Sequence, residues 1–397
     1  MRKLSGIVFS AVLLLIGSTQ GTWAQKNKVW ELGTYPGGTW FTTESINDLG
    51  VVVGRGDVPP IGSDGVGYTH PLAVPLFGPH AGEWIDLGTL GGEESRGWEL
   101  ESLTQISNTG LVASHSTTPD GYEHGVAWTK ESGLVDLGTL ADTGDAQYAS
   151  YNSSRALATN KLGTLIVGTS ETTDGHNLPV VWTPARKPGG LAIVWKIHKL
   201  DTTAFPEFTF WPAWEVNDYG QIVGTGLNND WSIIIGMLWN PRADGKGWDV
   251  TSLPPSPAYP MTEAYGINDR GEITGVTHPT DYSIYLPLLW KPLDKKRTTY
   301  SQPIELALPR GFTSCESVGL NELGDVVGDC WNDTQDLPAR WITAAPTFSQ
   351  IIKFPGSWGF SWGVNNSRIA SVTYADSKNC PADTYGSCGG AVQFHSK

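Results

Sequence analysis

The stretch TTESINDLGVVVG, residues 42–54, sets a polar turn, Ile46 to Gly50, between two runs of small and apolar residues. Asn near its start and Gly at its end suit a type I turn that closes on a positive φ, and the alternating flanks suit strands, so the unit reads as a β-hairpin. The turn returns as ISNTG (106–110), TNKLG (159–163), VNDYG (216–220), INDRG (267–271), LNELG (320–324) and VNNSR (364–368). The closing glycines stand 60, 53, 57, 51 and 53 residues apart, with 44 more to Arg368 in the seventh copy. Such a spacing marks a repeated supersecondary unit.

Each hairpin is followed by a third apolar segment ending in a large aromatic: Trp128, Trp182, Trp239, Trp290 and Trp341, with Phe77 and Phe394 proposed for the outer copies. A fourth segment follows, WIDLGTL (84–90), LVDLGTL (134–140), KIHKLDT (196–202), WDVTSLP (248–254), PIELALP (303–309) and IIKFPG (351–356). Seven four-stranded units without helical periodicity predict an all-β fold, a seven-bladed β-propeller, in preference to an open solenoid or two smaller β domains. The last unit stops at Phe394 without a fourth strand, while VWELGTY (29–35) is a fourth strand with no unit before it. The N-terminal strand is therefore expected to complete the last blade and seal the ring.

Composition agrees. Of 397 residues, 48 are Gly, 26 Pro and 18 Trp, while Asp, Glu, Lys and Arg together make 17%, a balance that suits turns and strands over helices. The first residues, MRKLSGIVFSAVLLLIGSTQGTWAQ, carry two basic residues, a short apolar run and a small-residue exit, the pattern of a signal peptide cut after about Ala24. Residues 1–24 are thus read as leader and 25–397 as one propeller domain, secreted to the periplasm or beyond and without a membrane span. Loss of Arg2 and Lys3 lowers the formal charge from −14 by two more. So acidic a surface disfavours nucleic acid and anionic lipid as partners. A monomer is expected.

Four cysteines in an exported chain read as two disulfides. Cys315 and Cys330 flank the LNELG turn at nearly equal distances and should face each other across the hairpin within about one residue of register. Cys380 and Cys388 would close the loop NCPADTYGSC.

The succession DLGTLGG (86–92), IND turns at 46 and 267, and aliphatic strands ending in Trp resembles the HAF-repeat family of probable extracellular bacterial repeat proteins. The likeness runs from Val29 to Phe394, with the His-Ala-Phe signature weakened to His124-Gly125-Val126-Ala127-Trp128. It implies export and a repeat scaffold, and supplies no catalytic residue.

Function in a propeller comes from residues that break the repeat, because a ligand on the axis meets each blade once. The connections from fourth to first strand and from second to third strand share one face, and they hold the irregular aromatic and acidic residues. Candidate ligand-binding residues are Trp40, Glu44, Trp98, Glu101, Arg155, Trp211, Trp214, Glu215, Glu263, Tyr265, Glu316, Trp358 and Trp362. Flat rings beside carboxylates suit a carbohydrate, which stacks through its apolar side and hydrogen-bonds through its hydroxyls. An interaction module for carbohydrate or a secreted macromolecule is the first expectation, and a polysaccharide-cleaving enzyme with a carboxylate pair at the channel mouth is the second. The recurring Asp86 and Asp136 are expected to cap backbone. The scattered histidines, the absence of HExxH and of a P-loop, and the lack of a GxSxG elbow give no metal, cofactor or nucleophile signature.

Overall fold

The computed structural model describes residues 27–60, 67–92, 103–186, 193–375 and 387–395. Its strands form seven separate four-stranded antiparallel sheets, each with neighbours in chain order except the last. The chain is a seven-bladed β-propeller. In the last sheet the N-terminal strand Lys28–Gly33 pairs with Cys388–Gln393 in the register Lys28↔Gln393, Val29↔Val392 and Trp30↔Ala391. Ring closure by the N-terminal strand is thereby as the sequence predicts.

The hairpin motif explains how blades are fastened to one another. Asn217, Asn268, Asn321 and Asn365 each use Oδ1 to accept the N–H of the residue four positions on, at 2.8 to 3.0 Å, which fixes the turn. Their Nδ2 groups donate instead to the next blade: Asn217 to Asn268 O, Asn268 to Asn321 O, Asn321 to Asn365 O and, across the seam, Asn365 to Asn47 O at 2.9 Å. Asn47 continues the circle to Ser107 O at 3.0 Å. One buried amide thus satisfies its own turn and latches its neighbour, a job that needs both a donor and an acceptor on one short side chain. Ser107 has no amide, and in TNKLG the extra residue Thr164 diverts the Asn160 Nδ2 to its own hydroxyl, so these two junctions use Asn108 N to Lys161 O and Leu162 N to Asp218 Oδ1. The turn-closing residue has φ between 65° and 86° in all six glycine copies, and Arg368 takes φ 59° in the seventh.

The interblade core centres on the third-strand tryptophans. Trp182, Trp239, Trp290 and Trp341 are fully buried, and each indole N–H donates to the end of the preceding blade, at Leu137, Asp201, Pro254 and Ala307 carbonyls respectively, 2.7 to 2.9 Å away. Trp128 is partly buried. The outer copies correct the sequence expectation. The residues paired as those tryptophans are paired are Val74, opposite Val52, and Val392, opposite Ala370. Phe77 lies beyond its strand, 44% exposed and edge-on to Trp30, and Phe394 lies just after its strand beneath the Arg340 guanidinium.

Cys315 and Cys330 sit directly opposite in the hairpin and are bonded. Cys388 is also disulfide-bonded, while Cys380 lies outside the described residues, as do the leader, Trp98 and Glu101. Asp86 and Asp136 accept the N–H groups of Gly88 and Gly138 at 2.9 and 2.8 Å, closing the DLG turns as expected. His70 and His124 hold the same carboxylates from the third strand. Among the described residues no helix is long and apolar enough to cross a membrane.

Candidate ligand site

The first strands of the blades line the axis, so their side chains meet across a narrow channel. One cavity there, of about 180 Å³, is bounded by Glu44, Leu103, Gln105, Trp214, Glu215, Glu263, Tyr265, Glu316, Val318, Gly319 and Trp362. Seven of the thirteen candidates from the sequence, Glu44, Trp214, Glu215, Glu263, Tyr265, Glu316 and Trp362, are thus brought together. Gln105 and Glu215, joined at 2.6 Å, separate this space from a smaller one of about 80 Å³ ringed by the turn residues, including Asp48, Lys161, Asp218, Asp269 and Glu322.

The four channel glutamates differ in their partners. Glu44 is 3% exposed and accepts from Arg55 Nε at 3.1 Å and from Thr104 N at 2.5 Å. Burial still outweighs these bonds and raises its pKa. Glu215 accepts from the neutral Gln105 amide and the Val216 N–H, and burial pushes it up to about 7. Glu263 stands 3.4 Å from His278 Nε2. Glu316 is likewise pushed up to about 7, by burial first and then by the neighbouring Glu263 and Asp336 carboxylates. Directly across the hairpin from Glu316 is Asp329, whose pKa is driven well above the carboxylate range by burial and by Glu316 and Asp336.

On the outward side of that carboxyl group opens a groove of about 580 Å³ lined by Asp329, Trp331, Asn332, Asp336 and Trp358. Burial raises Asp336 to about 6. The groove is one end of an aromatic arc that crosses blades four to seven. Phe210 stacks with Trp231 at 6.1 Å, and the Tyr282 hydroxyl donates to the Trp231 carbonyl. His278 is sandwiched between Tyr282 at 4.7 Å and Tyr285 at 4.9 Å, and Tyr285 meets Trp331 at 5.4 Å. Trp358 then leads through Phe360 to Trp362 at the channel. Trp231 is 50% and Tyr282 38% exposed.

Trp231, Tyr282, Tyr285, Trp331 and Asp329 are absent from the sequence-based set. The signal for Asp329 was present, since the register that opposes Cys315 and Cys330 also opposes Glu316 and Asp329. Other candidates lie elsewhere. Trp40 and Trp211 are buried in the body of the ring at 4% and 1% exposure. Arg155 is held by Glu123 at 2.6 Å and Glu171 at 3.4 Å.

No family model matches the chain, and no curated protein matches it either. Solved structures match in fold. The β-propeller domain of the trilobed protease from Pyrococcus furiosus, described as having an open velcro topology, superposes with a TM-score of 0.51 at 10% identity, over 85% of this chain and 89% of that one. Puromycin hydrolase gives 0.51 at 10% identity over 84% of this chain and 50% of its own. TolB from Acinetobacter baumannii gives 0.45 at 10% identity over 77% of this chain, which spans 64% of TolB. At these identities the likeness establishes the propeller architecture and nothing of activity. Unlike an open ring, the present one has its first strand paired into the last blade.

Proposed function

We propose that this propeller is an exported interaction module that grips a carbohydrate chain along the aromatic arc. The observation that carries the reading is the run Phe210, Trp231, Tyr282, His278, Tyr285 and Trp331, joined by ring contacts except between Trp231 and Tyr282, where the Tyr282 hydroxyl meets the Trp231 carbonyl, and flanked at its Trp331 end by Asn332 and Asp336. An exposed indole and phenol offer flat apolar surface to sugar rings, while the amide and carboxyl groups suit their hydroxyls. The Cys315–Cys330 bond supports an oxidising compartment, and kinship with the HAF-repeat proteins belongs to the same proposal.

A glycan array with the purified protein tests this. Binding to a defined polysaccharide that falls roughly tenfold or more in Trp231→Ala and Trp331→Ala, with the melting temperature of Trp231→Ala unchanged, is expected. Absence of glycan binding, or indifference to both substitutions, refutes it. The cleaving alternative has one observation in its favour: Glu215 and Glu316, raised to about 7, have the character of a general acid. New reducing ends that vanish in Glu316→Gln would support it.

A further inference from the structure

The axial cavity differs from the arc in shape and in charge. It is a narrow, partly open space of about 180 Å³, and its wall sets the rings of Trp214, Tyr265 and Trp362 against four carboxyl groups. Two of those groups have basic partners from the protein, Glu44 in Arg55 and Glu263 in His278. Glu215 has neutral donors, and Lys161, which acts on it through space, is itself bound to Glu322 at 2.8 Å. Glu316 accepts no hydrogen bond from any described residue, although its side chain faces the cavity. Two carboxyls therefore border this space with no basic side chain hydrogen-bonded to them, His278 acting on Glu316 and Lys161 on Glu215 only through space.

A neutral sugar would leave them so. A metal ion is a poor fit too, because among the described residues no three His, Cys, Asp or Glu side chains gather closely enough to hold one. Charges spread around an aromatic wall match an extended organic cation, whose ammonium groups take charge-assisted hydrogen bonds and whose methylenes and cationic ends lie well against indole and phenol faces. The space slightly exceeds the ~150 Å³ that accommodates benzene, which sets the ligand at roughly six to ten heavy atoms.

We propose that the axial cavity binds a small aliphatic diamine, its ammonium groups on Glu316 and Glu215 and its carbon chain against Trp214 and Trp362. The cavity touches the inner end of the arc through Trp362 and, by way of Glu263, His278, but the proposal does not rest on the carbohydrate reading, and either can fail without the other.

The experiment is isothermal titration of the purified protein with 1,4-diaminobutane, and in parallel with 1,4-butanediol, which keeps the length and loses the charge. Saturable binding of the diamine at one site and none of the diol is expected. Glu316→Gln and Glu215→Gln should each weaken the diamine by about tenfold or more, the loss of one charge-assisted bond. Both substitutions remove an enclosed carboxyl and leave the shape, so the fold is retained, as far-ultraviolet circular dichroism would verify. Trp231→Ala on the arc should leave diamine binding unchanged. No diamine binding, equal binding of the diol, or full affinity in the double Gln variant overturns the proposal.

Discussion

Replacing Asn365 by Asp tests the latch between the seventh and first blades. Asn365 is 2% exposed, accepts Ile369 N–H at 2.9 Å, and donates from Nδ2 to Asn47 O at 2.9 Å. Asp keeps the shape and the acceptor but turns the donor into a second acceptor facing a carbonyl. The lost hydrogen bond is worth about 1 kcal/mol, and an enclosed carboxylate without its donor adds about 1–2 kcal/mol. The Asn47 carbonyl retains Gly50 N–H at 3.0 Å, so it is not orphaned and the total stays near 2–3 kcal/mol at neutral pH. The sign with pH follows. Enclosure lifts the folded pKa of the new acid above its unfolded value of about 3.9, the native state then holds a proton that the unfolded chain has released, and stability relative to wild type falls as pH rises through the folded pKa. Near pH 5 the protonated acid donates to Asn47 again and part of the deficit returns. Urea unfolding followed by tryptophan fluorescence at pH 5 and pH 7.5 reads this. A midpoint equal to wild type at pH 7.5, or the same deficit at both pH values, would refute the latch.

The wild-type protein should itself lose stability between pH 6 and pH 8, because Glu215, Glu316 and Asp336 have folded pKa values raised to about 7, 7 and 6 and must ionise in enclosed surroundings. A melting temperature that rises over that range contradicts it, and Glu316→Gln should flatten the slope and raise the value at pH 8. Trp290→Phe, which removes the indole bond to Pro254 O and part of a fully buried side chain, should cost about 2–3 kcal/mol. The same change at the partly buried Trp128 should cost less, and equal losses by denaturant midpoint would argue against the interblade role. Joint replacement of Cys315 and Cys330 by Ser releases a link over 15 residues and should lower stability by about 3 kcal/mol; dithiothreitol, which also opens the disulfide of Cys388, should lower it at least as much. An unchanged midpoint in the double Ser variant would exclude that contribution.

The architecture was readable because its signals are local. A turn with Asn or Ser at its start, Gly at its end in six of the seven copies, and an aliphatic strand after it identify the hairpins, and the spare strand at Val29 needs only to be matched with the missing one after Phe394. The outer copies misled because Phe77 and Phe394 are aromatic and close to the expected place, yet the pairing assigns it to Val74 and Val392, which are no more apolar than many residues nearby. The channel glutamates were found as breaks in the repeat. The arc was not, because Trp231 and Tyr282 lie in loops, at φ values of 58° and 56°, where no strand period marks which side chains are exposed. Trp40 and Trp211, aromatic residues that also lie between strands, are buried instead.

The missing amide links lie at Ser107 and Asn160, whereas the junction between the seventh and first blades keeps its link in full. Backbone tethers adjacent blades at every junction, the last included, because the strand Lys28–Gly33 of the seventh blade runs on into Phe41–Ile46 of the first; the break in the polypeptide lies inside the seventh blade, where ladder bonds between that strand and Cys388–Gln393 hold the tails together. A circular permutant that fuses the natural tails and cuts between the third and fourth blades would transfer the discontinuity to the poorest clasp of the hoop, and such a molecule should breathe there first.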